Sequence, residues 1–172
     1  MNQLYQKLLL ILALIGLFFG GIFFWQDKKQ AAQEERQQLA KTVPRSEDEW
    51  QAKLSPEAYE ILRQGGTERP YSSPLNSENR AGTYVTADTG EAVFRSEDKF
   101  DSGTGWPSFT RPIKPDVVLE RPDNSLFSER TEILSTAGGH LGHVFMDGPA
   151  PTGLRYCMNG AALKFIPDVE LE

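Results

Sequence analysis

Hydrophobic and polar positions fall into three textures along this chain. Positions 8–25 read L-L-L-I-L-A-L-I-G-L-F-F-G-G-I-F-F-W, an uncharged apolar run. A helix of that length crosses a bilayer core of about 30 Å. Trp25 is placed for the interface, and Lys7, Lys28 and Lys29 bracket the run. A cleaved signal peptide has a shorter apolar stretch and a small-residue cleavage site, and no A-x-A follows here. Residues 1–25 are therefore expected to form one uncleaved transmembrane helix, a single-pass N-terminal anchor in a bacterial inner membrane. Lys28, Lys29, Arg36 and Lys41 favour keeping the C-terminal domain in the cytoplasm, whereas a short tail, one anchor and a large domain favour export. The side of the membrane stays open. Residues 26–45, rich in Gln, Glu, Lys and Ala, read as a polar stalk.

The second texture is helical. Ser46 to Glu49 fits a capping box, with Trp50 and Leu54 facing a core. Ser55-Pro56 opens a second short helix, with Tyr59 and Leu62 on one face and Gly65-Gly66 at its end. From Gly82 onward the texture changes again. Short runs of β-branched and aromatic residues alternate with Gly and Pro, which predicts strands at Thr83–Thr86, Ala92–Arg95, Val117–Glu120, Glu129–Ser135, His143–Met146 and Arg155–Phe165, the last in one or two pieces. Residues 46–172 should thus be one small, mainly β antiparallel domain with short N-terminal helices.

Composition narrows the chemistry. A net charge of -6 argues against a nucleic-acid groove. A single cysteine among 172 residues excludes an internal disulfide and a zinc site built from cysteine pairs. That cysteine, Cys157, lies in G-L-R-Y-C-M-N-G. On a strand, Arg155, Cys157 and Asn159 point to one face. A guanidinium beside a thiol favours the nucleophilic thiolate, and an amide on the same face can bond a ligand. The competing reading is an inert buried thiol. The only two histidines, His140 and His143, sit together in H-L-G-H-V-F. They are either a metal pair with Cys157 or Asp147, or acids beside a thiolate, or surface residues; the spacing alone is a weak metal signal. In G-T-G-W-P-S-F, Trp106 is either an apolar pocket wall or a core residue. A thiolate, imidazoles, an amide and an indole suit attack on a sulfoxide sulfur whose oxygen is being protonated.

G-T-G-W-P-S-F, H-L-G-H-V-F-M-D-G-P-A-P-T-G and R-Y-C-M-N-G-A-A-L-K-F resemble, in this order, the signature blocks of the methionine-R-sulfoxide reductases. L-S-P-E-A-Y, G-T-E-R-P-Y and K-F-D-S-G extend the resemblance, which covers roughly Leu54 to Pro167. It implies a β-tent-like fold of two antiparallel sheets. It implies Cys157 as nucleophile, His140, His143 and Asn159 polarising the sulfoxide oxygen, Arg155 supporting the thiolate, and Trp106 with Phe145 holding the substrate. Many members bind zinc through two C-x-x-C pairs. Here the first pair falls on Thr86 and Thr89 and the second near Ser135 and Gly138, with one residue fewer before His140, so no metal or other cofactor is expected. Thr104 stands where some members carry a resolving cysteine. Reduction of the resulting sulfenic acid then falls to an external thiol such as thioredoxin, glutaredoxin or glutathione. The family's usual Ser after Asn is Gly160, which is expected to loosen and tune the site. The expected partners are oxidised proteins, a thiol reductant and the membrane, with the domain monomeric. A non-catalytic binding module and a thiol peroxide sensor are the alternatives.

Overall fold

The computed structural model describes residues 46–124 and 130–168. The predicted anchor and stalk lie outside the described residues. Among those described, no helix is long and apolar enough to cross a membrane.

Helix α1 (Glu47–Lys53) begins at the predicted capping box: the Ser46 hydroxyl accepts from Glu49 N–H, and the Glu49 carboxylate accepts from Ser46 N–H. Helix α2 (Pro56–Gln64) has Ser55 as its N-cap and left-handed Gly65 at its C-cap. Trp50, Leu54, Ala58, Ile61 and Leu62 enter the core. Tyr59, expected on the buried face with Leu62, is only half-buried, and its hydroxyl donates to Glu47.

The strands make two antiparallel sheets. The smaller, ordered β2–β1–β9, contains β1 (Gly82–Thr86), β2 (Ala92–Arg95) and β9 (Leu163–Pro167). The larger, ordered β3–β4–β8–β7–β6–β5, contains β3 (Lys99–Phe100), β4 (Ser108–Phe109), β5 (Leu119–Asp123), β6 (Arg130–Leu134), β7 (His140–Phe145) and β8 (Arg155–Met158). The segment read as Arg155–Phe165 is broken by a 3-10 turn at Gly160–Ala162 and feeds both sheets. Two strand expectations need correction, and two short strands were not expected. Val117–Glu120 is a 3-10 turn at Pro115–Val117 followed by β5. That strand tolerates Pro122 because it is the sheet edge. The strand read as His143–Met146 already begins at His140. Strands β3 and β4 are too short to leave a pattern.

Pairing fixes which side chains share a face. Opposed residues of antiparallel strands project to the same side. His143 opposes Cys157, Phe145 opposes Arg155, and Ser108 opposes Cys157. Glu132 opposes His143, and β5 sets Arg121 against Glu132 and Asp123 against Arg130. One face of the large sheet thereby collects charged and nucleophilic groups. The other carries Phe109, Ile133, Tyr156 and Met158, all buried. It packs on the small sheet, where Phe94 stacks on Phe109 at 4.4 Å and Tyr84 meets the same ring edge-on at 4.9 Å.

Candidate active site

Three residues apart on a regular strand, His140 and His143 would face opposite sides. They do not, because β7 carries a bulge. Ile133 opposes Gly142 while the next residue, Leu134, opposes His140, so Leu141 is the extra residue. The imidazoles end up on one face, edge to face at 5.3 Å between centroids. Gly142 is required beside the bulge: a Cβ there would stand 2.1 Å from the Cys157 carbonyl oxygen.

Cys157 is half-buried at a cavity of about 160 Å³. Trp106, Phe145, His143 and Asn159 line it with Cys157, as do Thr67, Gly142 and Arg130. The indole N–H of Trp106 donates to the Glu68 carbonyl at 3.2 Å, which leaves the ring as wall. Two larger grooves of about 520 Å³ lie elsewhere, one by Arg95 and Arg111, the other by Asn76 and Lys99. Neither contains a thiol or an imidazole, so the smaller cavity is the chemically relevant one.

The histidines have distinct surroundings. His140 is buried and sits outside the cavity lining, with its Nδ1 2.7 Å from Glu132 Oε1. Burial pulls its pKa below the ordinary imidazole value despite Glu132. His143 lines the cavity, and its Nε2 lies 2.8 Å from Asp123 Oδ2. Of the possible metal ligands weighed from sequence, Asp147 is turned away, accepting from Arg155 Nε at 2.8 Å and Nη2 at 2.7 Å.

Burial raises the Cys157 pKa above that of an ordinary thiol; Thr104, Arg155 and Ser108 each act against this without overcoming it. Arg155 favours the thiolate in the expected direction, but burial outweighs it. Its guanidinium is bound to Asp147 and lies over the Phe145 ring, 4.4 Å from its centroid, so only part of its influence reaches sulfur. The Thr104 hydroxyl lies 3.9 Å from Sγ and belongs to a chain of hydroxyls with Ser102 and Ser108.

Asn159 follows β8 and is nearly fully buried. Its Oδ1 accepts from Glu68 N–H at 3.1 Å, and its Nδ2 donates to the Leu141 carbonyl at 3.2 Å. One Nδ2 hydrogen remains for a ligand. Glu68 was missed by sequence reasoning. Its carboxylate accepts from Gly160 N–H at 2.7 Å and Ala161 N–H at 2.8 Å. With its backbone bonds to Asn159 and Trp106, it ties G-T-E-R-P-Y to both walls of the cavity. Gly160 leaves no empty space beside the site. A Cβ at that position would lie 2.0 Å from Ser73 Oγ, so Ser73 already fills the space.

The positions where relatives place zinc ligands hold a different structure. Thr86 and Thr89 hydroxyls bond each other at 2.7 Å, and Ser135 donates to Asp88 Oδ2 at 2.5 Å. Neutral hydroxyls already bonded, a glycine at position 138 and one carboxylate, Asp88, itself taken by Ser135 and the Thr89 N–H, do not supply the three or four thiolate, imidazole or carboxylate ligands that a zinc ion takes. The shorter turn does not displace His140: Ser135 N–H donates to the Gly139 carbonyl at 2.8 Å, and His140 pairs directly with Leu134.

A thiol, an imidazole and an indole thus surround one cavity on the face of a two-sheet β domain. The sequence matches the SelR domain over residues 54–167, and the chain belongs to that family. It is 54% identical over 124 residues to the peptide methionine sulfoxide reductase MsrB of Leptospira interrogans, covering 72% of this chain and 95% of the relative. The peptide methionine sulfoxide reductase MsrB of Bradyrhizobium diazoefficiens is 54% identical over 126 residues, covering 73% and 91%. The protein of that name from Methanosarcina barkeri is 50% identical over 131 residues, covering 76% and 92%.

Proposed function

We propose that this chain reduces methionine-R-sulfoxide to methionine, with Cys157 as nucleophile. The observation that carries the reading is the shared cavity: Cys157 and His143 oppose each other in the sheet, and Trp106 and Phe145 supply its apolar surface. The substrate methyl packs on the indole, and the sulfoxide oxygen lies toward His143 and the remaining Asn159 N–H. The Cys157 thiol gives its proton to His143 and its sulfur attacks the sulfoxide sulfur, while His143 passes that proton to the sulfoxide oxygen. That oxygen passes to Cys157 as a sulfenic acid and methionine leaves. His143 is the proton donor, since it lines the cavity whereas His140 is not part of its lining. Two external thiols then return the sulfenic acid to thiol, giving a disulfide and water. With one cysteine in the chain, both must come from outside. Neither zinc nor another cofactor takes part. The apolar run at 8–25 supports membrane anchoring of the full chain; carbonate-resistant membrane association, lost on removing residues 1–25, tests it, and a carbonate-extractable full chain would overturn it.

The decisive assay offers separated R and S epimers of blocked methionine sulfoxide to the full-length chain with dithiothreitol. Turnover of R alone, absent in Cys157→Ser, is expected. Failure to turn over R, or equal turnover of S, would refute the reading.

A further inference from the structure

Both histidines of β7 are held by the same device, built by the β5–β6 hairpin. In two of its cross-strand pairs, Arg121 with Glu132 and Asp123 with Arg130, an arginine clamps a carboxylate. Arg121 Nη2 lies 2.7 Å from Glu132 Oε2, and Arg130 Nη2 lies 2.6 Å from Asp123 Oδ2. Each carboxylate reaches one imidazole: Glu132 reaches His140 Nδ1 at 2.7 Å, and Asp123 reaches His143 Nε2 at 2.8 Å. The two relays bind opposite ring nitrogens. Only the second borders the cavity, which both Arg130 and His143 line. Among the described residues the Nε of Arg130 is buried without a hydrogen-bond partner, while Nη2 donates to Asp123.

We propose that Asp123 and Arg130 are positioning residues for the reduction: Asp123 fixes His143 with a hydrogen on Nε2, so that Nδ1 is the nitrogen that serves the sulfoxide oxygen, and Arg130 holds Asp123 in place as acceptor. A carboxylate alone would orient the ring but also hold its proton tightly. Sharing that carboxylate with a guanidinium keeps the orientation and weakens the hold, which suits a group that must give a proton away. The inference rests on the reading of His143 as proton donor.

Two measurements test it. The first is nitrogen-15 NMR of the histidine rings in the full-length resting protein. With only two histidines in the chain, a His140→Asn variant assigns the spectrum. Hydrogen on Nε2 of His143 is expected; hydrogen on Nδ1 with Nε2 bare would overturn the proposal, and this readout needs no turnover. The second is kinetics on R-sulfoxide. Asp123→Ala should lower kcat about 10- to 100-fold with little change in KM. Asp123→Asn, which keeps an acceptor oxygen, should lose less, and Arg130→Lys should retain more activity than Arg130→Met. A folded Asp123→Ala protein with wild-type kcat, or an Arg130→Met variant changed only in KM, would overturn it, the latter making Arg130 a substrate anchor. Absence of turnover in the wild type would refute the proposed reaction while leaving the NMR test of the clamp intact.

Discussion

Two clusters of buried polar side chains stand out among the described residues, one at the turn joining β6 to β7 and one on the open face of β7 and β8. At the turn, Asp88 takes the Ser135 hydroxyl and the Thr89 N–H, Ser135 also takes the Gly139 N–H, and Thr86 bonds Thr89. No space remains: a Cβ on Gly139 would stand 2.6 Å from Asp88 Oδ2. On the sheet face the groups are as closely bonded behind the cavity, but at its wall one Asn159 hydrogen, one His143 nitrogen and the Cys157 sulfur are left to a ligand. The same kinds of residue thus close a fold where every bond is made and support chemistry where a few are withheld.

The comparison is broken most sharply by a reciprocal pair of variants. Cys157→Ser should reduce turnover to the uncatalysed background and leave the melting temperature almost unchanged, because serine preserves the shape of a half-buried side chain. Ser135→Ala should do the opposite. It strips Asp88 and the Gly139 N–H of a partner where water does not reach, a loss of about 1–3 kcal/mol, seen as a fall in melting temperature on the order of 5–10 °C. Turnover well below that temperature should stay within about twofold. A Ser135→Ala protein of normal stability but low activity would show that the turn belongs to the site.

Gly160 gives a smaller test at the border between the two behaviours. Gly160→Ser alone drives a Cβ into Ser73 and should cost about 1–3 kcal/mol. Ser73→Gly should recover much of that loss, giving a coupling of the two positions in denaturant unfolding. Additive losses would mean that Ser73 swings away freely and that the space is not shared.

The chemistry on β7, β8 and the Trp106 loop was legible because its residue types are rare here: one cysteine, two histidines, and a tryptophan between glycine and proline. The helix starts were legible because caps are local. What escaped depends on pairing between distant segments. Nothing in H-L-G-H announces a bulge, yet without it the histidines would face apart. Arg121, Asp123, Arg130 and Glu132 carried no functional reading in the sequence. The signal was their alternation, R-P-D and R-T-E, which puts each pair on one face once both segments are strands; the first segment's register was misplaced toward Val117. Glu68 left no local signal, because its partners lie some ninety residues away in the chain.

The finest test concerns the thiol itself. Burial holds the Cys157 pKa above the ordinary thiol value while Arg155 pulls the other way. Below its pKa the alkylation rate follows the thiolate fraction and rises about tenfold per pH unit. Iodoacetamide should therefore label Cys157 more slowly than a cysteine in an unstructured peptide, with a rate still climbing where the peptide's has levelled. Removing the cation favours the neutral thiol, so Arg155→Met should shift the curve to higher pH and slow labelling near neutrality several-fold. Asp147, largely exposed, can take water in place of the guanidinium, so the fold should survive the change. An unchanged curve would assign Arg155 wholly to Asp147 and the Phe145 ring, leaving the Thr104 and Ser108 hydroxyls as the groups that oppose burial at sulfur.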